Sequence, residues 1–225
     1  MREEKIPTIE LVEKDGEITL YIDGEQAMQA WEKELMWESA DILCNYGSVF
    51  LEAGLGLGFS ALRIAENPNT KKHIVVEKYQ KVINLFHQQH SQLPQNLEIL
   101  QADFFEYVRK APPESFDGIF FDPALSMEVW NDQPFWDEFI PYIIQVLKPG
   151  GAFIPFFSTR PMLRTQYLKF FSRIEIERRP YTAYDETTYT YNDSGDAYIQ
   201  CFIKTGLRNK NKIKPGNLER YDSMK

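Results

Sequence analysis

The run Val49-Phe50-Leu51-Glu52-Ala53-Gly54-Leu55-Gly56-Leu57-Gly58 constrains this chain more than any other stretch. A short apolar strand ends in an acid, and three glycines then alternate ahead of a helical segment. Glycine turns left-handed without steric penalty and lets a backbone approach a ligand closely. At the carboxyl end of a strand in an open α/β sheet, such a turn is where nucleotides sit. Read as the dinucleotide fingerprint G-x-G-x-x-G from Gly54, the run fails at Phe59. Read from Gly56 it ends on Ala61, which the looser form accepts. A turn of this kind also serves packing alone, so its neighbours have to decide.

After the turn the chain alternates short apolar runs with helical stretches. Strands are expected at 48–51, 74–77, 97–101, 117–121 and 152–157, with helices running to about 66, over 79–90 and over 134–147. This βα alternation predicts an α/β protein with a Rossmann-like, doubly wound parallel sheet covered on both faces. Residues 1–24 read as a hairpin about Lys14-Asp15-Gly16. Residues 25–45 read as an amphipathic helix through Ala27, Met28, Trp31, Leu35 and Ile42. One more helix is expected over 162–172. A terminal antiparallel hairpin, 174–178 with 198–204, is joined by a polar, tyrosine-rich loop. The division expected is 1–45 as a hairpin and covering helix, 46–205 as the core, and 206–225 as a polar, solvated tail.

Composition narrows the function classes. With 225 residues, 43% hydrophobic and 26% charged, the chain suits one globular domain. A net charge of −8 disfavours nucleic-acid partners. No run approaches the roughly 18 apolar residues of a membrane span, and the first residues lead into no signal segment. Two cysteines, Cys44 and Cys201, build no disulfide framework, so a cytoplasmic protein is expected. His87 and His90 stand at helical spacing without a third ligand nearby, and His73 stands alone, so no metal is expected. Ser60 lacks the order of a nucleophile triad.

Three further features support the glycine turn. The second strand ends in Glu77, where a carboxylate accepts ribose hydroxyls. Asp103 follows the third strand, where it also suits a helix N-cap. Leu147-Lys148-Pro149-Gly150-Gly151 precedes the fifth strand. In this order the four features resemble the class I S-adenosylmethionine-dependent methyltransferases. The resemblance implies that fold, with S-adenosyl-L-methionine as cofactor. It implies that Gly54, Gly56 and Gly58 pass under the methionine moiety and ribose. Glu52 would meet the methionine end directly or through water. Glu77 would take the ribose, Asp103 the adenine amino group, and Phe104 would pack on the adenine ring.

Two more acids stand where a substrate would meet the sulfonium. Asp122, in Phe121-Asp122-Pro123-Ala124, ends the fourth strand, and Glu32 lies in Trp31-Glu32-Lys33-Glu34-Leu35-Met36 ahead of the glycine turn. Each has a plainer reading. Glu32 shares a charge-rich helix with Glu34 and Glu38, Asp122-Pro123 suits a strand exit, and Trp31 suits a core. The Trp-Glu and Met36 spacing, together with Asp122, is similar to the guanidinoacetate N-methyltransferase family and the related fungal-type arginine N-methyltransferases. The resemblance runs from about Gly24 to Gly151. It fades in the C-terminal hairpin, where Tyr181, Tyr184, Tyr189 and Tyr191 stand.

The resemblance implies N-methylation of a guanidino nitrogen on a small metabolite: arginine, an arginine derivative or a guanidino acid. Glu32 and Asp122 would be the catalytic carboxylates, with Trp31, Met36, Leu125 and Tyr184 around the substrate. The chemistry is coherent. A guanidinium is cationic and planar, and two carboxylates grip it through paired charge-assisted hydrogen bonds. One of them also takes the proton released as the new bond forms. Other acceptors on the same fold stay open: another amine, a carboxylate, or an aminopropyl transfer, since the N-terminal hairpin resembles one in polyamine synthases. A noncatalytic cofactor binder and a modifier of arginine in peptides stay open too.

Overall fold

The structure, a computed structural model, describes residues 7–205. The expected tail, 206–225, lies outside the described residues.

The chain begins with an antiparallel sheet of three strands, β1 (Ile9–Lys14), β2 (Glu17–Ile22) and β3 (Glu25–Gln29). Both connections are two-residue Asp-Gly turns, with φ of 56° and 85° at Asp15 and Gly16 and 52° and 82° at Asp23 and Gly24. Positive φ at both central residues is the hairpin geometry whose twist matches the flanking strands. The second turn corrects the expected helix over 25–45. Asp23-Gly24 folds residues 25–29 back onto β2, pairing Met28 with Leu20 and Gln29 with Thr19. The helix starts only after a 3-10 turn at Ala30–Glu32, as α1 (Lys33–Cys44).

The second sheet has seven strands: β4 (Val49–Ala53), β5 (Lys72–Glu77), β6 (Leu97–Gln101), β7 (Phe116–Phe121), β8 (Leu147–Pro155), β9 (Arg173–Thr182) and β10 (Ser194–Ile203). Their order is β6-β5-β4-β7-β8-β10-β9. The first five are parallel, β10 runs antiparallel to β8, and β9 antiparallel to β10. Helices α2 (Phe59–Glu66), α3 (Gln80–Gln89), α4 (Phe104–Lys110), α5 (Met127–Asn131) and α6 (Gln133–Val146) complete the chain. This is the doubly wound class I methyltransferase architecture with its terminal antiparallel hairpin.

Strand alternation divides the core. Phe50, Val75, Phe120 and Ile154 face α1, α2, α3 and the N-terminal sheet. Leu51, Val76, Phe121 and Phe153 face α4 and α6. Glu52 and Asp122 alternate with Leu51 and Phe121, so both project to the α1 side. The chain winds outward from β4 to β6, then returns to β7. The crevice therefore opens at the carboxyl ends of β4 and β7, where ligands bind in sheets of this kind.

The helix expected over 162–172 is a single 3-10 turn, Thr165–Tyr167. The Gln200 side chain accepts from Arg164 N at 3.0 Å and donates to Met162 O at 2.8 Å, which removes two backbone groups from any helical ladder. Tyr167 and Phe171 are buried against the α6 side of the sheet and anchor the segment there.

Candidate active site

The glycine turn is packed on three sides. Gly54 donates to Val76 O at 3.0 Å and Gly58 to Leu55 O at 2.8 Å. All three glycines are left-handed, with φ of 84°, 52° and 77°. A Cβ on Gly54 would lie 2.5 Å from the Asp122 carbonyl oxygen, and one on Gly58 2.1 Å from the Phe86 ring. On Gly56 it would meet the Met28 sulfur at 2.5 Å, and that sulfur also accepts from Leu57 N at 3.2 Å. The turn thus locks the exit of β7, the strand β3 and the helix α3 around one point.

Glu77 ends β5 beside this turn. Its Oε2 accepts from Leu55 N and its Oε1 from Tyr79 N, each at 2.8 Å, and the Lys78 N–H also serves the carboxylate. Burial raises its pKa, and the backbone N–H groups pull the other way. Glu52, in contrast, is turned beneath the turn. Its Oε1 accepts from Ser60 Oγ at 2.5 Å, and its Oε2 lies 3.0 Å from His73 Nε2 without the alignment of a hydrogen bond. His73, expected to stand alone, is fully buried, with Nδ1 3.2 Å from Ala61 O. Asp103 caps α4, accepting from Glu106 N at 3.0 Å. The Phe104 ring is buried among Phe105, Phe121 and Phe139.

The second cluster forms around Glu32, which is 1% exposed. Its Oε1 accepts from Gln29 N at 2.7 Å and from the Tyr189 hydroxyl at 2.5 Å. Burial lifts its pKa to about 7, and those two donors hold it from rising further. Asp122 is surrounded by protein atoms yet keeps part of its surface open. Its pKa stands well above the usual carboxylate range. The cause is burial first, then the carboxylates of Glu32 and Glu52, with Arg164 opposing. The guanidinium of Arg164 sits 5.5 Å from the Trp130 ring centre, and its Nη2 donates to Phe156 O at 2.7 Å. Glu32 and Asp122, far apart in sequence, are therefore electrostatic neighbours beside the glycine turn.

A model of the guanidinoacetate N-methyltransferase family matches residues 9–179. The chain belongs to that family.

Family membership makes this a methyltransferase, and the cofactor it implies can be tested against the residues. A carboxylate at the end of β5 (Glu77), a glycine turn at the switch point and the acids Glu32 and Asp122 beside it form a set that fits an adenosyl sulfonium. No curated protein sequence matches the chain. Among solved structures it is similar to the spermidine synthase of Thermotoga maritima, with 18% identity, a TM-score of 0.67, and 97% of this chain and 76% of that one covered. A spermidine synthase in complex with the transition-state analogue AdoDATO gives a TM-score of 0.68 at 18% identity, with 97% and 77% covered. A precorrin-6y C5,15-methyltransferase from Geobacter metallireducens gives 0.56 at 16% identity, with 76% and 88% covered. At these identities the likeness is one of fold.

The remaining expected residues fall in three places. Trp31 stands beside the acids, its ring against Phe157, Tyr181 and Tyr189 and its Nε1 donating to Gln29 Oε1 at 2.9 Å. Met36 is 1% exposed in the core beneath α1. Leu125 packs on the opposite, α6 side of the sheet. Tyr184 is half-buried and gives its carbonyl to Thr187 N at 3.0 Å, whereas Tyr189 supplies the hydroxyl at Glu32. Sequence reasoning also passed over Gln29 and Arg164. The second Asp-Gly pair would have placed Gln29 on a strand; nothing local marks Arg164. Among the described residues no helix is long and apolar enough to cross a membrane, and no three His, Cys, Asp or Glu side chains are grouped to hold a metal ion.

Proposed function

We propose that this chain transfers a methyl group from S-adenosylmethionine to a guanidino nitrogen of a small metabolite. The observation that carries the reading is that buried Glu32 and part-buried Asp122 both stand at the glycine turn, where the Asp122 carbonyl closes on Gly54 and Met28, four residues before Glu32, closes on Gly56; burial raises the pKa of both acids. Such a pair, which among the described residues makes no salt bridge, is matched to a ligand that brings a delocalised positive charge. S-adenosylmethionine, when bound, supplies a methyl carbon made electrophilic by its sulfonium. Glu77 would hold the ribose, and the glycine turn would admit the backbone to close approach.

Glu32 and Asp122 would hold the guanidinium plane by paired N–H···O bonds and aim one nitrogen at the methyl carbon. As the N–C bond forms and the S–C bond breaks, the nitrogen must lose a proton. Asp122 is assigned as its acceptor, because its proton affinity is raised further by the neighbouring Glu32 and Glu52. Trp31 would wall the cleft. The substrate is placed as a free small molecule in an aqueous compartment, the cytoplasm being the simplest, with no nucleic-acid or membrane partner.

A second reading, aminopropyl transfer to an amine, is favoured by one observation: the likeness to the spermidine synthases covers nearly the whole chain, the N-terminal sheet included. Incubation with labelled S-adenosylmethionine and its decarboxylated form, against a panel of guanidino compounds and polyamines, separates the two by mass spectrometry. A methyl increment on a guanidino compound supports the first. A propylamine increment on an amine, with no methylated product, overturns it.

A further inference from the structure

The loop between β9 and β10, residues 183–193, reaches across to the N-terminal sheet. Thr187 Oγ1 donates to Gln29 Oε1 at 2.6 Å, Thr188 N donates to Gln26 Oε1 at 2.8 Å, and Gln26 Nε2 returns a bond to Glu186 O at 2.8 Å. At its far end Tyr181 donates its hydroxyl to Asn192 O at 2.7 Å, and Tyr191 N donates to Thr159 Oγ1 at 3.1 Å. Between these ties the Tyr189 ring stacks on Trp31, with centroids 6.2 Å apart and planes 22° apart. Its hydroxyl meets Glu32 Oε1, a residue 157 positions away. This loop lies beyond the family match, which ends at residue 179.

The lone-pair count at Glu32 is informative. Oε1 accepts two hydrogen bonds, from Gln29 N and from the Tyr189 hydroxyl, and is saturated. Oε2 accepts none among the described residues. The Gln29 amide is itself fixed, because its Oε1 receives the Trp31 indole N–H and the Thr187 hydroxyl while its Nε2 donates to Thr19 Oγ1 at 3.1 Å. Backbone and loop together leave the carboxylate one orientation and one free acceptor.

We propose that Tyr189 is a positioning residue of this site: its hydroxyl holds Oε1 of Glu32, so that Oε2 is the single acceptor left for the substrate cation. The proposal rests on the guanidino reading for what Oε2 receives. It follows that the β9–β10 loop is part of the active site and sets the pH range in which Glu32 is charged. The groups facing Glu32 are few. Tyr189 comes from the loop, and Asp122 from the end of β7. Glu52 on β4 and Arg164 on the segment after β8 face Asp122. A hydroxyl donated to the charged form lowers the pKa of Glu32, so removing it raises that pKa.

The test is Tyr189→Phe, which keeps the ring on Trp31. In the ligand-free full chain, the side-chain carboxyl of Glu32 is followed by carbon NMR across pH, with Glu32→Gln assigning the signal. Its midpoint should move up by about one pH unit in Tyr189→Phe. In the methyl-transfer assay kcat/KM should fall about 5-fold at pH 7 and recover toward pH 9, because the acid limb follows Glu32. An unmoved midpoint overturns the inference. So does a loss of kcat/KM that is equal at every pH, which would be a merely structural effect. Failure of the guanidino reading looks different: the midpoint moves, yet Glu32→Gln keeps full turnover.

Discussion

Glu77 takes its hydrogen bonds from the backbone N–H groups of Leu55, Lys78 and Tyr79, all set by the turn and strand on which it lies. Glu32 takes one from the backbone of Gln29 and one from a tyrosine hydroxyl brought in by a distant loop. Burial raises the pKa of both. The first arrangement is rigid as soon as β4 and β5 pair. The second is complete only when the β9–β10 loop lies down on the N-terminal sheet. A carboxylate fixed by backbone suits a ligand part that never changes, and one fixed by a loop suits a part that differs between relatives. On the proposed function, the nucleotide end and the substrate end of the crevice are accordingly built by different means.

The sharpest break between the two ends should come from Glu32→Gln and Asp122→Asn. Each removes a charge from the clamp while keeping its shape. Turnover should fall about 10³-fold or more, equivalent to about 4 kcal/mol of transition-state stabilisation. Cofactor affinity, measured by calorimetry, should stay within about 2-fold, since the scaffold around Glu77 is untouched. Loss of cofactor affinity with turnover retained at saturation would reverse the assignment.

The scaffold itself breaks at Gly58. An alanine there must adopt φ of 77° and push into Phe86. Left-handed strain of about 1–2 kcal/mol adds to overpacking of about 1–3 kcal/mol. A melting temperature lower by roughly 10 °C is expected by circular dichroism. Gly16→Ala is the control. It has φ of 85° but nothing within 4 Å, so only the strain remains. Equal losses at the two positions would show that the packing against Phe86 is not tight.

Stability separates the ends again. Glu32 has a folded pKa of about 7, above the ordinary value of 4.5. A raised folded pKa means that the folded protein binds the proton more tightly. Its contribution to stability is fully present below pH 4.5 and is lost as pH rises through 7. Glu32→Gln has no such loss. The variant should match the parent near pH 4.5 and melt several degrees higher at pH 8, for a gain of about 3 kcal/mol. A site that gains stability as it loses turnover is one whose charge is kept for function. A variant less stable than the parent at pH 8 would mark Glu32 as structural instead.

The same contrast explains what the sequence made legible. The glycine turn, Glu77 and the Asp103 cap were readable because each is a residue type at a fixed offset from a strand end. The five parallel strands and the terminal hairpin were readable from apolar runs between turn signals. Glu32 and Asp122 came from spacing that resembled a family. Strand β3 was misread because Met28, Trp31 and Leu35 fall at helical spacing by coincidence, while Asp23-Gly24 carried the stronger opposing signal. His73 could be joined to Glu52 only once the register of β4 and β5 set it beside Phe50. Tyr189 had no local signal at all. It sits in a loop without periodicity, and its partner depends on two other segments being in place.

Glu77→Gln is the gentlest way to sharpen the contrast. The amide oxygen still accepts from the backbone, so the turn keeps part of its support, while one of the two oxygens that would meet a ribose becomes a donor. One charge-assisted hydrogen bond is weakened rather than a whole pocket lost. The cofactor dissociation constant should rise about 10-fold, which is about 1.4 kcal/mol, and kcat at saturating cofactor should hold within about 2-fold. Titration calorimetry with S-adenosylhomocysteine reads the first and a saturation curve the second. The Glu32 midpoint should not move in this variant, because none of the donors to Glu32 lies on β5. A fall in kcat at saturation, or a moved midpoint, would mean that the two carboxylates are coupled through the glycine turn and that the crevice works as one unit rather than two.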